Sequence, residues 1–394
     1  MKLFFAILVG KLIALITRTF KIGGGSAAPG YYALKIEPNL VEKLARKIPK
    51  NVVITGTNGK TTTARILAHL ATESGLKVIR NHTGSNLERG IASSLISNFQ
   101  FLISNFQCNL GIWEADEFAF NTVVPKIKPD LILFLNVSRD QLDRYGEVDQ
   151  VVSRWGQTLS KLDPKTTVLI DPSIKKLKDS FKVKAIAEPK NIKTNGLDGS
   201  EFEFKGLKIN IPVPGLYNIK NCVAALEAAT SLNLPISQLA SSLVSFSPAF
   251  GRVEKLPFGY IFLIKNPAGA TQVLETITPQ IKPEDRLLFA LNDNFADGTD
   301  VSWIWDTEFE RLVTRDRGPI VCSGSRAVDL AVRLKYAELL PKQINVIPNL
   351  EDALKQARAG LKGTLFILPT YTALLELQSI LTKEGVKSHY WKEN

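Results

Sequence analysis

Thr55-Gly56-Thr57-Asn58-Gly59-Lys60-Thr61-Thr62 combines two glycines, a lysine and a run of hydroxyls. It stands between an apolar run, Val52-Val53-Ile54, and a helical pattern that continues to Leu70. A chain passing from strand to helix over such residues offers free backbone N–H groups and a positive helix end, which is what polyphosphate oxygens need. Lys60 would reach terminal phosphates and the Thr61 hydroxyl would bind Mg²⁺. The full phosphate-loop pattern asks for Gly at position 54, where this chain has Ile54, so the loop is a shortened one. The plainer reading is an ordinary glycine-bearing turn.

Glu114 closes the apolar run Leu110-Gly111-Ile112-Trp113 and is a hard oxygen ligand of the kind Mg²⁺ takes opposite Thr61, or a solvated strand-end carboxylate. Asp293, Asp297, Asp300 and Asp306 fall within fourteen residues. Turn chemistry accounts for such a cluster and suffices for Asp297, which precedes Gly298. Trp303 and Trp305 flank the last of them, as core residues or as interface anchors. His69, His82 and His389 show no metal spacing; His69 reads as structural and His82 as an exposed loop residue or a neighbour of substrate. Cys108, Cys222 and Cys322 form no Cys-x-x-Cys pair, which favours a reducing, cytoplasmic setting, and Cys222 reads as a small core residue.

These residues need a scaffold. From Asn51 to Leu135 short β-branched runs alternate with helical stretches, which predicts right-handed crossovers and a mostly parallel sheet. Leu-Ile-Ser-Asn-Phe-Gln occurs at 95 and again at 102, a local duplication on a helix or its connection. Glu201 to Val213 alternates with period two about Lys205-Gly206 and predicts an antiparallel hairpin appended to that sheet. Helical patterns follow at about 217–232 and 235–245. Residues 245–259, rich in Gly, Pro and Ser, read as a domain junction, beyond which five apolar runs alternate with helices as a second, smaller α/β domain.

At 394 residues two domains are the default. The 49 Lys and Arg against 38 Asp and Glu give +11, which suits anionic partners. Nucleic acid is not among those expected, because no aromatic-interleaved basic stretch or zinc-finger motif occurs. In the first twenty residues Lys11 interrupts the apolar run, leaving pieces short of the roughly 20 residues a spanning helix requires. An amphipathic helix on a membrane or a partner, a core helix, and a cleaved signal are the three readings of that segment.

The loop resembles that of the Mur ligases and folylpolyglutamate synthases, ATP-dependent ligases that activate a carboxylate as an acyl phosphate for attack by an amine. Gly215-Leu216-Tyr217-Asn218-Ile219-Lys220-Asn221-Cys222-Val223-Ala224-Ala225 is similar to the family's G-x-x-N-x-x-N-x-x-A-A, and Gly251-Arg252-Val253-Glu254 to its Arg-bearing segment. The resemblance implies ATP binding by Gly56, Thr57, Asn58, Gly59, Lys60, Thr61 and Thr62, with Asn218 facing the adenine and Arg252 near the phosphates. It implies Mg²⁺ on Thr61 and Glu114. It also implies a Mur-ligase-like α/β fold: an N-terminal amphipathic helix and Gly-rich segment at 1–30, a central ATP-binding domain at 31–250 with a mostly parallel sheet, and a Rossmann-like C-terminal domain at 251–394.

Departures from the family pattern narrow the resemblance. Gln141 stands where typical members have a metal-linked histidine, and a neutral amide does not replace imidazole at full strength, so a second magnesium site of the usual kind is not expected. Ile264 to Leu274 replaces the family's D-x-A-H-x-P element, and the stretch ahead of Asn51 is short for a uridine-nucleotide domain. Segments across nearly the whole chain, among them His82 to Ser93, Ala290 to Asp306 and Leu368 to Leu377, resemble the MurT type. That implies amidation of the D-glutamate α-carboxylate in the stem peptide of lipid II, with ammonia from a GatD-type glutaminase partner, at the inner face of the membrane. In this type an aspartate completes the glutaminase Cys-His pair across the interface; Asp306 is the first candidate and Asp300 the second. The four-cysteine zinc ribbon of many relatives has no counterpart, so zinc is not expected. The rival readings are a ligase of this fold that adds an amino acid, and a membrane-associated ATP-binding switch without ligation.

Overall fold

A computed structural model of the chain describes residues 1–19, 27–81, 85–101, 105–138, 148–248, 251–313 and 318–387. Strands β1 (Lys50–Thr55), β2 (Val78–Arg80), β3 (Leu110–Glu114), β4 (Leu131–Phe134), β5 (Thr167–Ile170) and β6 (Lys184–Ala185) form a six-stranded sheet in the order β2-β3-β1-β4-β5-β6. All its pairings are parallel, as the alternation of strand and helix patterns predicts. Val52 and Ile54 of β1 pack with Leu67 of the helix Lys60–Glu73 and Val223 of the helix Leu216–Ser231. Val53, between them, joins Trp113, Phe134 and Trp155 on the opposite face. Cover on both faces is why β1 reads as an unbroken apolar run.

The strand order reverses beside β1, and a crevice forms outside the carboxyl ends of strands at such a reversal. Ile54 lies opposite Glu114 and Thr55 opposite Phe134, so the segments leaving β3, β1 and β4 start level with one another.

The hairpin is present as β8 (Ser200–Phe204) and β9 (Leu207–Ile211), but it is not appended to the six-stranded sheet. It forms a separate antiparallel sheet with β7 (Lys190–Thr194). Its alternating pattern supplies a single apolar face, Phe202, Phe204, Ile209 and Ile211, whereas the parallel sheet needs two.

A second six-stranded sheet follows, built from β10 (Arg252–Leu256), β11 (Gly259–Phe262), β12 (Arg286–Ala290), β13 (Ile320–Ser323), β14 (Ile344–Val346) and β15 (Leu365–Pro369), ordered β10-β11-β15-β12-β13-β14. Only β10 runs antiparallel. Phe289 and Phe366 pack on one face, Leu288, Val321 and Ile367 on the other.

The helix Lys2–Thr19 is a core helix on one side. Ala6, Ile7 and Gly10 pack against the helices Ala28–Ile36 and Glu88–Asn98, while its other side is exposed. Among the described residues no helix is long and apolar enough to cross a membrane.

Candidate active site

The loop Gly56–Gly59 joins β1 to the helix Lys60–Glu73, and its shape depends on two glycines. Gly56 has φ +134°, and a Cβ there would lie 2.7 Å from the Asn136 carbonyl oxygen. Gly59 has φ +88°, and a Cβ would lie 2.1 Å from Asn221 Oδ1. Both positions need the left-handed region and a close approach that only glycine allows. Asn136, two residues past β4, clamps the loop: its Oδ1 accepts from Asn58 N at 2.9 Å, and its Nδ2 donates to the Asn58 carbonyl at 2.9 Å. Thr57 N donates to the Asn136 carbonyl at 2.9 Å.

Lys60 is buried at the base of the loop. Its Nζ donates to the Gly56 carbonyl, to the Thr57 carbonyl at 3.2 Å and to Glu117 Oε2 at 3.2 Å. Burial alone would raise the Glu117 carboxyl, but the ammonium groups of Lys60 and Lys265 outweigh it and hold the group below its ordinary value. The Thr61 hydroxyl donates to Glu114 Oε2 at 2.6 Å. Glu114 is fixed by Asn81, which accepts from its N and donates to its carbonyl, both at 2.9 Å. Burial raises the Glu114 carboxyl, opposed by the Thr61 hydroxyl and by the charges of Lys60, Arg80 and Arg252.

The second sheet reaches the same loop. Asn266, at the start of the helix Pro267–Ile277, accepts from Asn58 Nδ2 at 3.2 Å and donates to Asn58 Oδ1 at 3.1 Å. Its Oδ1 also caps that helix, accepting from Gly269 N at 2.8 Å. Lys265 Nζ donates to the Thr57 carbonyl at 3.5 Å. Between the sheets lies a cavity lined by Asn58, Gly59, Thr62, Tyr217, Asn221, Arg252 and Lys265, among others. Arg252 sits at a bulge in β10 where Val253 has φ +62°, a strained conformation for a β-branched residue. Burial pushes the Arg252 guanidinium down, and Tyr217 and Glu114 oppose this.

The structure thus brings Gly56, Thr57, Asn58, Gly59, Lys60, Thr61, Thr62, Glu114 and Arg252 together. Asn218 is buried, its amide donates to the Pro214 carbonyl at 2.7 Å, and its neighbours Tyr217 and Asn221 line the cavity. Asp297 lies in a turn, as its place before Gly298 predicts, with its N donating to the Asn294 carbonyl at 2.8 Å, and its side chain reaches further. It is buried and accepts from Thr372 N at 2.7 Å and from the Thr372 hydroxyl at 2.5 Å, tying its loop to the helix Tyr371–Lys383. Asp300 is exposed and accepts from Ser302 N at 2.8 Å. Asp306 is exposed at the end of the turn Ser302–Asp306. Trp303 packs against the core, whereas exposed Trp305 meets Tyr336 edge to face at 5.5 Å. The ring of His69 bonds the Ser242 carbonyl at 3.0 Å, a structural role. His82, His389 and Gln141 lie outside the described residues.

The donor set suits a magnesium–polyphosphate group. Thr61 and Glu114 put two hard oxygens 2.6 Å apart beside a helix N-terminus, and the cations Lys60, Lys265, Arg80 and Arg252 gather around them. Glu117, Asn136, Lys265 and Asn266 complete the site, and sequence reasoning did not single them out for it.

Residues 54–229 match the family described as Mur ligase middle domain, and residues 263–374 match the one described as MurT ligase C-terminal. The chain thus carries a Mur ligase middle domain followed by a MurT ligase C-terminal domain. It is 29% identical to the lipid II isoglutaminyl synthase (glutamine-hydrolyzing) subunit MurT of Streptococcus pneumoniae, over 93% of this chain and 94% of the relative. It is 27% identical to the subunit of the same name from Staphylococcus aureus strain COL, over 92% and 95%. The Mur ligase fold is equally plain in solved structures: MurF from Acinetobacter baumannii aligns with TM-score 0.70 at 14% identity, covering 89% of this chain and 79% of that one. Mycobacterium tuberculosis folylpolyglutamate synthase aligns with TM-score 0.64 at 16% identity, covering 88% and 93%.

Proposed function

We propose that this chain is the ATP-dependent synthetase subunit of a lipid II isoglutaminyl synthase, amidating the α-carboxylate of D-glutamate in the stem peptide to D-isoglutamine. Ammonia comes from a GatD-type glutaminase with which the chain forms a heterodimer, and the complex works peripherally at the inner face of the membrane. The chain comprises an N-terminal amphipathic helix and Gly-rich segment at 1–30, the ATP-binding domain 31–250 and the C-terminal domain 251–394. The observation that carries the reading is a phosphate loop held from both sides, by Asn136 and by Asn266, in a chain with a MurT-type second half.

A glutamyl carboxylate oxygen attacks the terminal phosphorus of ATP, ADP leaves, and an acyl phosphate forms. Lys60 and Arg252 stabilise the charge that develops on the transferring phosphoryl group. Magnesium, held by Thr61 and Glu114, supplies charge neutralisation on the phosphate oxygens. Phosphates entering the loop compete with Glu117 for Lys60. Ammonia then attacks the acyl carbon, phosphate leaves, and the extra proton on nitrogen is released. Asn58, Lys265 and Asn266 hold the second half against the loop, which keeps water from the acyl phosphate.

Asp306 is the residue we assign to the partner's Cys-His pair, with Asp300 second. Its exposure supports this, as does the exposed pair Trp305 and Tyr336 beside it, since aromatic residues anchor interface centres. The test is the purified chain given ATP, ammonium and lipid II. Formation of the amidated product is expected; ATP turnover without product, or product only when a free amino acid is added, overturns the reading.

A further inference from the structure

We infer that the outward face of the helix Lys2–Thr19 lies in the surface of an anionic bilayer. The inference rests on the lipid-linked acceptor proposed above and names the device that brings the enzyme to it. Phe4, Phe5, Leu8, Leu12, Leu15 and Ile16 are between 41% and 63% exposed. At 3.6 residues per turn they fill one arc of about 120°. The side turned to the protein body packs through Ala6, Ile7 and Gly10, with Leu3 against the same core, and a Cβ on Gly10 would lie 2.8 Å from Ile96 Cδ1. The helix is thus apolar on both sides, whereas an amphipathic helix of a soluble protein turns a polar side to water. Close packing through Ala6, Ile7 and Gly10 fixes the helix on the body with the other large apolar side chains outward.

Charge selects the occupant. Residues 1–36 contain Lys2, Lys11, Arg18, Lys21 and Lys35 and no acidic residue. Lys11 lies at the edge of the apolar arc, its Nζ over the Phe101 ring at 5.6 Å, and Phe101 in turn packs on Phe4 at 5.0 Å. An apolar stripe bordered by cations and free of acidic side chains complements acyl chains beneath anionic headgroups. The helix cannot span, so it lies flat.

The test is co-sedimentation of the full chain with phosphatidylcholine vesicles, with and without phosphatidylglycerol. The protein is expected to sediment with the anionic vesicles and to bind the neutral ones roughly tenfold more weakly. The double variant Leu8→Asp, Leu12→Asp, altered only on the exposed side, is expected to lose about tenfold or more in vesicle affinity with an unchanged unfolding temperature. Should that variant not fold, Leu8→Trp keeps the face apolar, and the emission of the introduced indole is expected to shift to the blue and be quenched by brominated lipid. No sedimentation of the wild type, equal binding by the double variant, an indole signal from the Leu8→Trp variant that brominated lipid leaves unquenched, or a dimer in light scattering that the double variant abolishes each overturns the inference. Amidation of lipid II in detergent is read separately. Intact amidation without vesicle binding sinks the helix assignment alone, and vesicle binding without amidation sinks the acceptor reading alone.

Discussion

Asn58 and Asn266, 208 residues apart in the chain, exchange two hydrogen bonds through their side-chain amides, at 3.2 and 3.1 Å. One belongs to the phosphate loop and the other caps the first helix of the second half, so the pair sets the distance between the two halves at the point where chemistry occurs. Neutral hydrogen bonds of this kind contribute on the order of 1 kcal/mol net. A double-mutant cycle with Asn58→Ala and Asn266→Ala should give a coupling of about 1 kcal/mol in unfolding free energy, because the helix cap lost with Asn266 enters both arms of the cycle and cancels. Strict additivity of the two changes would show that the contact carries no energy.

Lys60→Ala removes the cation at the base of the loop. Loss of one preorganised charge partner at a phosphoryl-transfer site costs on the order of 10² to 10³ in rate. Single-turnover formation of amidated product from ammonium should fall by about that factor, while the fold, read by circular dichroism, stays intact. A rate within twofold of wild type is incompatible with the mechanism.

Glu117→Gln leaves the buried Lys60 ammonium without its carboxylate counter-charge. Breaking such a pair from one side costs roughly 3 kcal/mol. Because the Glu117 carboxyl sits below its ordinary value of 4.5, its contribution is fully present above that pH and is lost as pH falls through the lower folded value. Urea unfolding at pH 7 should therefore separate wild type from variant, and the gap should close under strong acid. Saturating ADP with magnesium should also narrow it, since phosphates take over Lys60. Equal stability of the two proteins at pH 7 contradicts the assignment.

Asp306→Asn tests the interface role. With the glutaminase partner present, glutamine-dependent amidation should drop by up to about 10⁴, the scale seen when a triad carboxylate becomes an amide. Ammonium-dependent amidation should be unchanged. Equal loss of both transfers the residue to the synthetase site, and loss of neither moves the role to Asp300.

Sequence and structure agree where periodicity and position carry the information. β1 is an unbroken apolar run because both its faces are covered, and Thr61 meets Glu114 because Glu114 ends β3 while the loop to Thr61 leaves the same end of the neighbouring β1. What stayed hidden depends on which strands become neighbours. Asn136 is two residues beyond β4 and resembles any loop amide until β4 is seen beside β1. Asn266, ahead of Pro267, is legible as a helix cap, yet its bond to Asn58 exists only once the two halves meet. Glu117 follows β3 by three residues, close enough to Glu114 to look like a second solvated carboxylate. Asn218 shows another limit: a motif position names a residue but not its rotamer or its bond to the Pro214 carbonyl.

The clamp on the loop also orders events during biosynthesis. Asn136 emerges from the ribosome well before Asn266, and domains fold as units in that order. A growing chain can therefore close one side of its loop early, but the other side waits until the second half has been made and has docked. Until then the partly made protein lacks the Asn266 and Lys265 contacts and holds its nucleotide cradle open on one flank.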